Sequence, residues 1–317
     1  MSDAIHVLAN DGLSDDAIRV LENKGIRVDT HHLTEEQLAQ AINNYDVLVV
    51  RSATRVPSSL IALMQRPRLI IRAGVGVDNI DLEAAQQKGI TVKNTPRASA
   101  SSVAELVFAH LFGMARFLFD ANRQMPLIGH EQFNALKKKY ADGQELQGKT
   151  LGLIGLGNIG QACARVALGI GMKVVAHDPY VSSASIVLNI GEVQVPVTIT
   201  TTSKQEVLQQ ADFISLHVSG NQEVLTADDF ALMKKGVGII NCARGGVFSE
   251  SVLLQYLDSG KVAFAALDVF EHEPRPNPRV LAHPRISLSP HIGASTREAQ
   301  QRIGMEVAEL IIAFFNQ

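Results

Sequence analysis

Short apolar runs alternate with amphipathic stretches along most of the chain. Runs near residues 4–9, 26–29, 46–50, 69–73 and 90–93 have the length and composition of buried strands. Between them, residues 14–24, 35–44, 57–65 and 81–88 show helical spacing, with Ser14, Thr34 and Asp81 at N-cap positions. The rhythm resumes later, with strands expected near 212–217, 237–242, 262–267 and 285–289 and a closing amphipathic helix from about Ser295 to Phe315. Such alternation predicts parallel sheets with crossover helices. Two stretches depart from it. From Ser101 to about Asn122 the chain is apolar almost all round, with Leu106, Phe108, Leu111, Phe112, Met114, Phe117 and Phe119. One long helix is expected there, buried as core or as a subunit interface. Val193–Thr200 alternates Val, Ile and Thr around Pro196 like a hairpin, and no function attaches to it.

The sharpest local signal follows the apolar run Thr150–Ile154. Gly155-Leu156-Gly157-Asn158-Ile159-Gly160 opens a periodic stretch (Ile159, Cys163, Val166, Ala167, Ile170), and Asp178 ends the next apolar run. Each part has a mechanical role in holding a dinucleotide. Gly155 permits a tight turn, Gly157 lets backbone approach a pyrophosphate, and Gly160 allows close packing of helix and strand. The helix N-terminus offers unpaired N–H groups to the phosphates. Asp178 stands where a carboxylate accepts hydrogen bonds from the adenosine ribose, which favours NAD over NADP because a 2′-phosphate would meet like charge.

Composition narrows the functional classes. A chain of 317 residues, 46% hydrophobic and 19% charged, suits a globular protein of two domains or one large one. A net charge of −3 argues against a nucleic-acid partner, and Lys137-Lys138-Lys139 reads as a solvated helix face. Cys163 and Cys242 belong to no CxxC or disulfide framework, so a reducing, cytoplasmic setting is expected. Neither a long apolar span nor a basic-plus-apolar leader is evident, so no membrane association is expected. His6, His31, His32, His110, His130 and His283 show no metal-ligand spacing; no metal is expected, and they are read as non-functional.

Asp178, His217, Arg244, Asp268 and His291 all fall at or just past the carboxyl ends of expected strands, as do Arg51 and Arg72. Ligands of open parallel sheets bind at that edge. A nicotinamide cofactor implies hydride transfer, and oxidising an alcohol needs a base for the hydroxyl proton. His291 suits that role because imidazole exchanges protons near neutral pH. Glu273 and Asp268 are both candidates to orient its ring. Arg244 suits a substrate carboxylate, because its planar fork binds one bidentately. Taken singly, each of these residues also fits a structural role; their company with the glycine motif gives them weight.

Together, GLGNIG at 155–160, Asp178, Asn241–Gly246, Ala266–Phe270 with Glu273-Pro274, and Ser289–Thr296 resemble the D-isomer-specific 2-hydroxyacid dehydrogenases. Val50–Thr54, Arg72–Asp81 and Lys93–Pro96 are similar to the phosphoglycerate dehydrogenase branch of that family. The resemblance implies an α/β protein of two Rossmann-like, doubly wound parallel-sheet domains with the active-site cleft between them. Residues 1–98 plus 292–317 would bind substrate, and 99–291 would bind NAD. It assigns Arg244, Glu273 and His291 to catalysis. The cofactor contacts would be Val75, Gly155, Gly157, Asn158, Ile159, Gly160, Asp178, His217, Val218, Cys242, Ala243, Arg244, Asp268, His291, Gly293 and Ala294. Asp268 would reach the nicotinamide amide. Substrate contacts would come from Arg51, Ser52, Arg72, Ala73, Gly74, Val75, Arg244 and His291, the Arg72–Gly76 loop using backbone N–H groups and Arg51 and Arg72 favouring a phosphate.

The expected activity is NAD-dependent oxidation of D-3-phosphoglycerate, the entry to L-serine synthesis, by a homodimer joined through the coenzyme domain. The alternatives are another small 2-hydroxy or 2-keto acid (glyoxylate, hydroxypyruvate, 2-oxoglutarate) or an NAD-sensing interaction protein. Val75, Ser99, Val218–Asn221 and Ser249 depart from the family's usual residues, which puts the cofactor and substrate contacts at those positions in question. The chain ends soon after its last helix, so feedback through a C-terminal regulatory domain is not expected.

Overall fold

The structure, a computed structural model, describes residues 4–220 and 222–316; Asn221 therefore lies outside the described residues. Two compact units share the chain, Met1–Ser99 with Ala294–Gln317, and Ala100–Gly293.

The first unit holds five parallel strands: β1 (His6–Ala9), β2 (Arg27–Asp29), β3 (Val47–Val50), β4 (Leu69–Arg72) and β5 (Thr91–Asn94), in the order β2-β1-β3-β4-β5. Helices α1 (Asp15–Glu22), α2 (Glu35–Ala41), α3 (Ser58–Leu63) and α4 (Leu82–Gln87) cross between them. A sheet covered on both faces needs strands that are apolar at every position. In β3, Val47 and Val49 join one buried cluster with Ala17 and Leu21 of α1, while Leu48 and Val50 join another with Leu38, Leu60 and Ile61. Thr34 closes a reciprocal capping box with Gln37, and Asp81 accepts from the Ala84 N–H. Ser14, expected to cap α1 in the same way, makes no such bond; its Oγ is buried without a partner among the described residues.

In the second unit α5 (Ala100–Ala115) and α6 (Leu118–Lys139) precede β6 (Thr150–Ile154), α7 (Asn158–Gly169) and β7 (Lys173–His177). A hairpin of β8 (Ser183–Ile190) and β9 (Val193–Thr200) follows, then α8 (Lys204–Gln210), β10 (Phe213–Leu216), α9 (Ala227–Leu232), β11 (Val237–Asn241), α10 (Glu250–Asp258), β12 (Val262–Leu267), α11 (Pro278–Ala282) and β13 (Ile286–Leu288). The six long-range strands form a parallel sheet in the order β13-β12-β11-β10-β6-β7. One buried cluster lies on the α5 and α7 side, another on the side of α8 to α11. Helix α12 (Arg297–Phe315) returns to the first unit, where Ile303, Val307 and Ile311 complete the α1 cluster. A Cβ on Gly304 would lie 2.1 Å from Ser14 Oγ, so a glycine there lets α12 approach α1.

The single helix expected over 101–122 is two helices. Phe117 adopts a left-handed conformation (φ 55°), α5 stops at Ala115, and α6 leaves at a bend of 60°. Phe117 and Phe119 then pack their rings against Phe264 of β12 at centroid distances of 5.3 and 6.3 Å. These contacts, together with the Gln144 N–H bonded to Ala115 O, satisfy the chain at the break. Among the described residues no single helix is long and apolar enough to cross a membrane.

The alternation at 193–200 does form a hairpin, paired antiparallel from Ser183–Thr200 to Ile190–Val193. Ile186 and Ile199 face the α7 core, whereas Ile190 and Val193 at the tip are exposed.

Strand order reverses between β1 and β3 in the first sheet and between β6 and β10 in the second. Ligands of open α/β sheets bind outside the carboxyl ends of the strands at such points.

Candidate active site

Outside β6 and β10 lies the glycine-rich turn. A Cβ on Gly155 would sit 2.4 Å from the His217 carbonyl oxygen, and Gly155 has φ +103°, so the turn requires glycine twice over. A Cβ on Gly160 would sit 2.2 Å from Gly155 O, which brings the first turn of α7 against the loop. Gly157 is different, because a Cβ there meets nothing within 4 Å. The open space beside Gly157 lies at the N-terminus of the twelve-residue α7, a place whose unpaired N–H groups and partial positive charge suit a pyrophosphate. Asp178 ends β7 with Oδ2 accepting from Leu156 N–H (2.7 Å) and Oδ1 from Tyr180 and Val181 N–H (2.8 and 3.0 Å). The carboxylate therefore fixes the glycine turn, and Oδ2 keeps one acceptor site for a ribose hydroxyl.

His217 closes this end of β10. Its ring nitrogens are buried, and among the described residues neither has a partner. Burial pushes its pKa down to about 4. The ring is neutral when folded but titrates normally when unfolded, so the unfolded chain binds the extra proton between about pH 6.5 and 4. Stability due to this group is intact above that window and falls as pH drops through it. Between pH 7 and 5 it accounts for roughly 2 kcal/mol of lost stability. Urea midpoints at the two pH values should therefore differ less in His217→Gln than in the native sequence; equal pH slopes would contradict the effect.

The second cluster sits at the carboxyl ends of β11, β12 and β13. Asn241 shapes the first loop: its Nδ2 donates to Arg244 O (2.8 Å), and its Oδ1 accepts from Ala243 N–H (3.0 Å). A Cβ on Gly245 would lie 1.9 Å from Phe270 O, so this loop rests directly on the one after β12. Arg244 is half-buried, with Nη1 donating to Ala243 O at 2.7 Å. Cys242 and Ala243 are buried, and burial raises the Cys242 thiol well above its ordinary pKa.

Asp268 is 1% exposed and organises the last loop. Its Oδ1 accepts from Ser289 Oγ (2.6 Å) and Ile292 N–H (2.9 Å), its Oδ2 from Gly293 N–H (2.9 Å), and its carbonyl from His291 N–H (2.8 Å). These bonds keep Ile292 and Gly293 in the second unit, although the sequence grouped them with the C-terminal stretch. They also hold His291 at φ 54°, a conformation a non-glycine residue adopts only when its surroundings impose it.

Of the two carboxylates proposed to orient His291, the structure uses Glu273. Glu273 Oε2 lies 2.8 Å from His291 Nδ1, while Oε1 accepts from Phe270 N–H at 3.0 Å. With Nδ1–H donated to Glu273, the neutral ring has its lone pair on Nε2, which has no partner among the described residues. A base with an oriented ring, a carboxylate to stabilise the imidazolium, and a nearby arginine loop can take a hydroxyl proton and hold an acid group.

In the first unit, the Arg51–Thr54 loop leaves β3 beside the end of β1 and is held by side chains. Asp11 Oδ2 accepts from the N–H groups of Arg51 (2.6 Å) and Thr54 (3.2 Å), and Asn79 Nδ2 donates to the carbonyls of both, each at 2.7 Å. The Arg72 loop differs from expectation. Ala73 N–H donates to Val50 O and Gly74 N–H to Arg72 O, so neither is left for a substrate. Arg72 Nη1 lies 1.4 Å from where a Gly74 Cβ would be, so its guanidinium folds over its own loop rather than away from it. Within Arg72–Gly76, Val75 and Gly76 N–H are the groups without acceptors among the described residues. Val75 O is bonded by Asn94 Nδ2.

The departing serines divide. Ser99 Oγ is buried without a partner among the described residues, Ser249 Oγ meets Ser251 Oγ at 2.8 Å instead of capping α10, and Ser219 is exposed. One residue that the sequence set aside also joins the site: His110 of α5 bridges Ser287 and Ser289. No metal-ligand spacing marks His110, because its partners are serines on β13 and the loop after it.

Residues 108–293 match the NAD-binding domain of the D-isomer-specific 2-hydroxyacid dehydrogenases. The chain is 41% identical, over 290 residues covering 90% of it, to a hydroxypyruvate reductase of Thermotoga maritima, spanning 89% of that protein. The chain belongs to the D-isomer-specific 2-hydroxyacid dehydrogenases. It is also 42% identical over 88% of its length to a D-3-phosphoglycerate dehydrogenase of Methanocaldococcus jannaschii, but spans only 51% of that enzyme. Among solved structures, the NAD⁺-bound 3-phosphoglycerate dehydrogenase of Entamoeba histolytica aligns with a TM-score of 0.78 at 26% identity, covering 99% of this chain and 96% of that one. As a D-2-hydroxyacid dehydrogenase this oxidoreductase uses NAD, for which Asp178 and the open space beside Gly157 fit.

Proposed function

We propose that this dehydrogenase oxidises D-3-phosphoglycerate to 3-phosphohydroxypyruvate, and that Arg244, Glu273 and His291 form its catalytic set. NAD, when bound, supplies the acceptor for the substrate's hydride. The chain's own residues manage charge and protons. Arg244 holds the substrate carboxylate in its fork and draws electron density from the neighbouring carbonyl as it forms. His291 Nε2 takes the hydroxyl proton, and Glu273 stabilises the resulting imidazolium through Nδ1–H.

Arg51 supports the phosphorylated substrate. It begins the loop at the strand-order reversal of the first sheet, and Asp11 and Asn79 brace that loop by four hydrogen bonds. Resemblance to the Thermotoga hydroxypyruvate reductase favours a second candidate, the same three-carbon acid without phosphate. Arg51→Ala separates the two. It should raise KM for D-3-phosphoglycerate by roughly 10-fold to 100-fold, the worth of one charge-assisted pair. KM for D-glycerate should stay unchanged. Equal KM shifts for both acids would favour the unphosphorylated substrate.

The same proposal includes a homodimer through the second unit, supported by Phe112, Leu118, Leu127 and Phe133, which α5 and α6 leave exposed. Sedimentation should give twice the 34.3 kDa chain mass; a monomer would remove that part. The two buried thiols, Cys163 and Cys242, suit the reducing, cytoplasmic setting of this activity.

A further inference from the structure

We propose that His110 is a positioning residue for the loop that carries His291, acting through Ser289 and Asp268. The proposal rests on the catalytic role assigned to His291 above.

His110 is 7% exposed on α5, with Nδ1 2.8 Å from Ser287 Oγ and Nε2 2.9 Å from Ser289 Oγ. Ser289 Oγ donates its proton to Asp268 Oδ1 at 2.6 Å. A hydroxyl has only one proton to give, so Ser289 must accept from His110 Nε2–H. Nδ1 then carries the lone pair and accepts from the Ser287 hydroxyl. The neutral ring is therefore held in one tautomer, with both nitrogens satisfied. Burial lowers its pKa in the same sense, against the opposing pull of the Asp268 charge.

This chain ends on the group that shapes the catalytic loop. Asp268 holds the N–H groups of Ile292 and Gly293 through its two oxygens, and His291 N–H through its carbonyl. His291 needs that support because its backbone is left-handed. Ser289 fixes how the Asp268 carboxylate is turned, and His110 fixes Ser289. An apolar ring at 110 would leave the Ser287 and Ser289 hydroxyls without this partner and free Ser289 to rotate off Asp268. The catalytic imidazole would then be held less closely, while the glycine turn that binds NAD would be untouched.

Steady-state kinetics and amide hydrogen exchange on His110→Phe, His110→Gln, Ser289→Ala and the double variant His110→Phe/Ser289→Ala test this, with His291→Asn in the same series. His110→Phe should lower kcat by roughly 10-fold to 100-fold, as displacement of a catalytic group does, a larger change than that in KM for NAD. His110→Gln should recover most of the loss, because its amide has both an N–H group to donate and an oxygen to accept. Ser289→Ala should reproduce the loss with little change of volume, and the double variant should be no worse than either single one. Exchange at the Ile292 and Gly293 amides should quicken in His110→Phe and Ser289→Ala but not in His110→Gln. Unchanged kcat and exchange in Ser289→Ala and His110→Phe would overturn the relay, as would additive losses or failure of the glutamine rescue. Retained kcat in His291→Asn would instead overturn the catalytic assignment, leaving exchange alone to judge the relay.

Discussion

His291→Asn should lower kcat by roughly 10²–10⁴, the usual contribution of positioned acid–base catalysis, while NAD affinity is preserved. Asparagine is among the residues that accept a left-handed backbone, so the loop at φ 54° has no reason to move. Asp268 keeps its bonds to Ile292 and Gly293, and the Gly155–Gly160 turn belongs to another part of the unit. What disappears is the lone pair on Nε2 and the imidazolium that Glu273 would stabilise. Glu273→Gln should show a smaller loss in the same direction, because the ring keeps a hydrogen-bond partner but loses the charge that favours its protonated form. Retention of most kcat in His291→Asn, measured at saturating substrate, would remove His291 as the base.

The second large effect is expected at Arg244. Replacement by Ala should lower kcat/KM by roughly 10²–10³, the scale for removing one donor aimed at developing charge. Arg244→Lys should recover only part of this, since an ammonium keeps the charge but not the bidentate fork. The loop itself should survive, because Asn241 bonds Arg244 through its backbone carbonyl and Gly245 remains against Phe270. NAD binding by fluorescence titration is the control. A fall in NAD affinity matching the fall in kcat/KM would show that Arg244 acts on the coenzyme site instead of the substrate.

Much of this arrangement was legible in the residues. Inner strands such as β3 are continuous apolar runs because both faces are covered, whereas the edge strands β2 and β5 carry charged residues, and that pattern needs no tertiary information. The glycine turn was equally readable, since Gly155 and Gly160 each answer a steric demand, while Gly157 leaves open space at the helix N-terminus. Glu273 and Asp268 could not be ranked from sequence. Both lie near the end of β12, and only the path of the loop gives the first to His291 and the second to the backbone of residues 292 and 293. The break at Phe117 was hidden because apolar residues continue on both sides of it, with neither glycine nor proline at the bend, whereas Pro126 lies within α6. The folding of Arg72 over Gly74 was hidden for a related reason. An arginine at a strand end signals a ligand site, but a neighbouring glycine also gives the guanidinium room to lie against its own backbone. The contacts of His110 were hidden because its partners are hydroxyls distant in sequence, which leave no spacing to detect.

The most direct measurement of the central claim is NADH formation by the purified protein from NAD and D-3-phosphoglycerate, with D-glycerate, D-lactate and 2-hydroxyglutarate alongside. The proposed function predicts that kcat/KM is highest for the phosphorylated acid and that Arg51→Ala erases this advantage. Turnover confined to D-glycerate or another unphosphorylated acid would contradict the substrate assignment, while leaving hydride transfer with His291 as base intact.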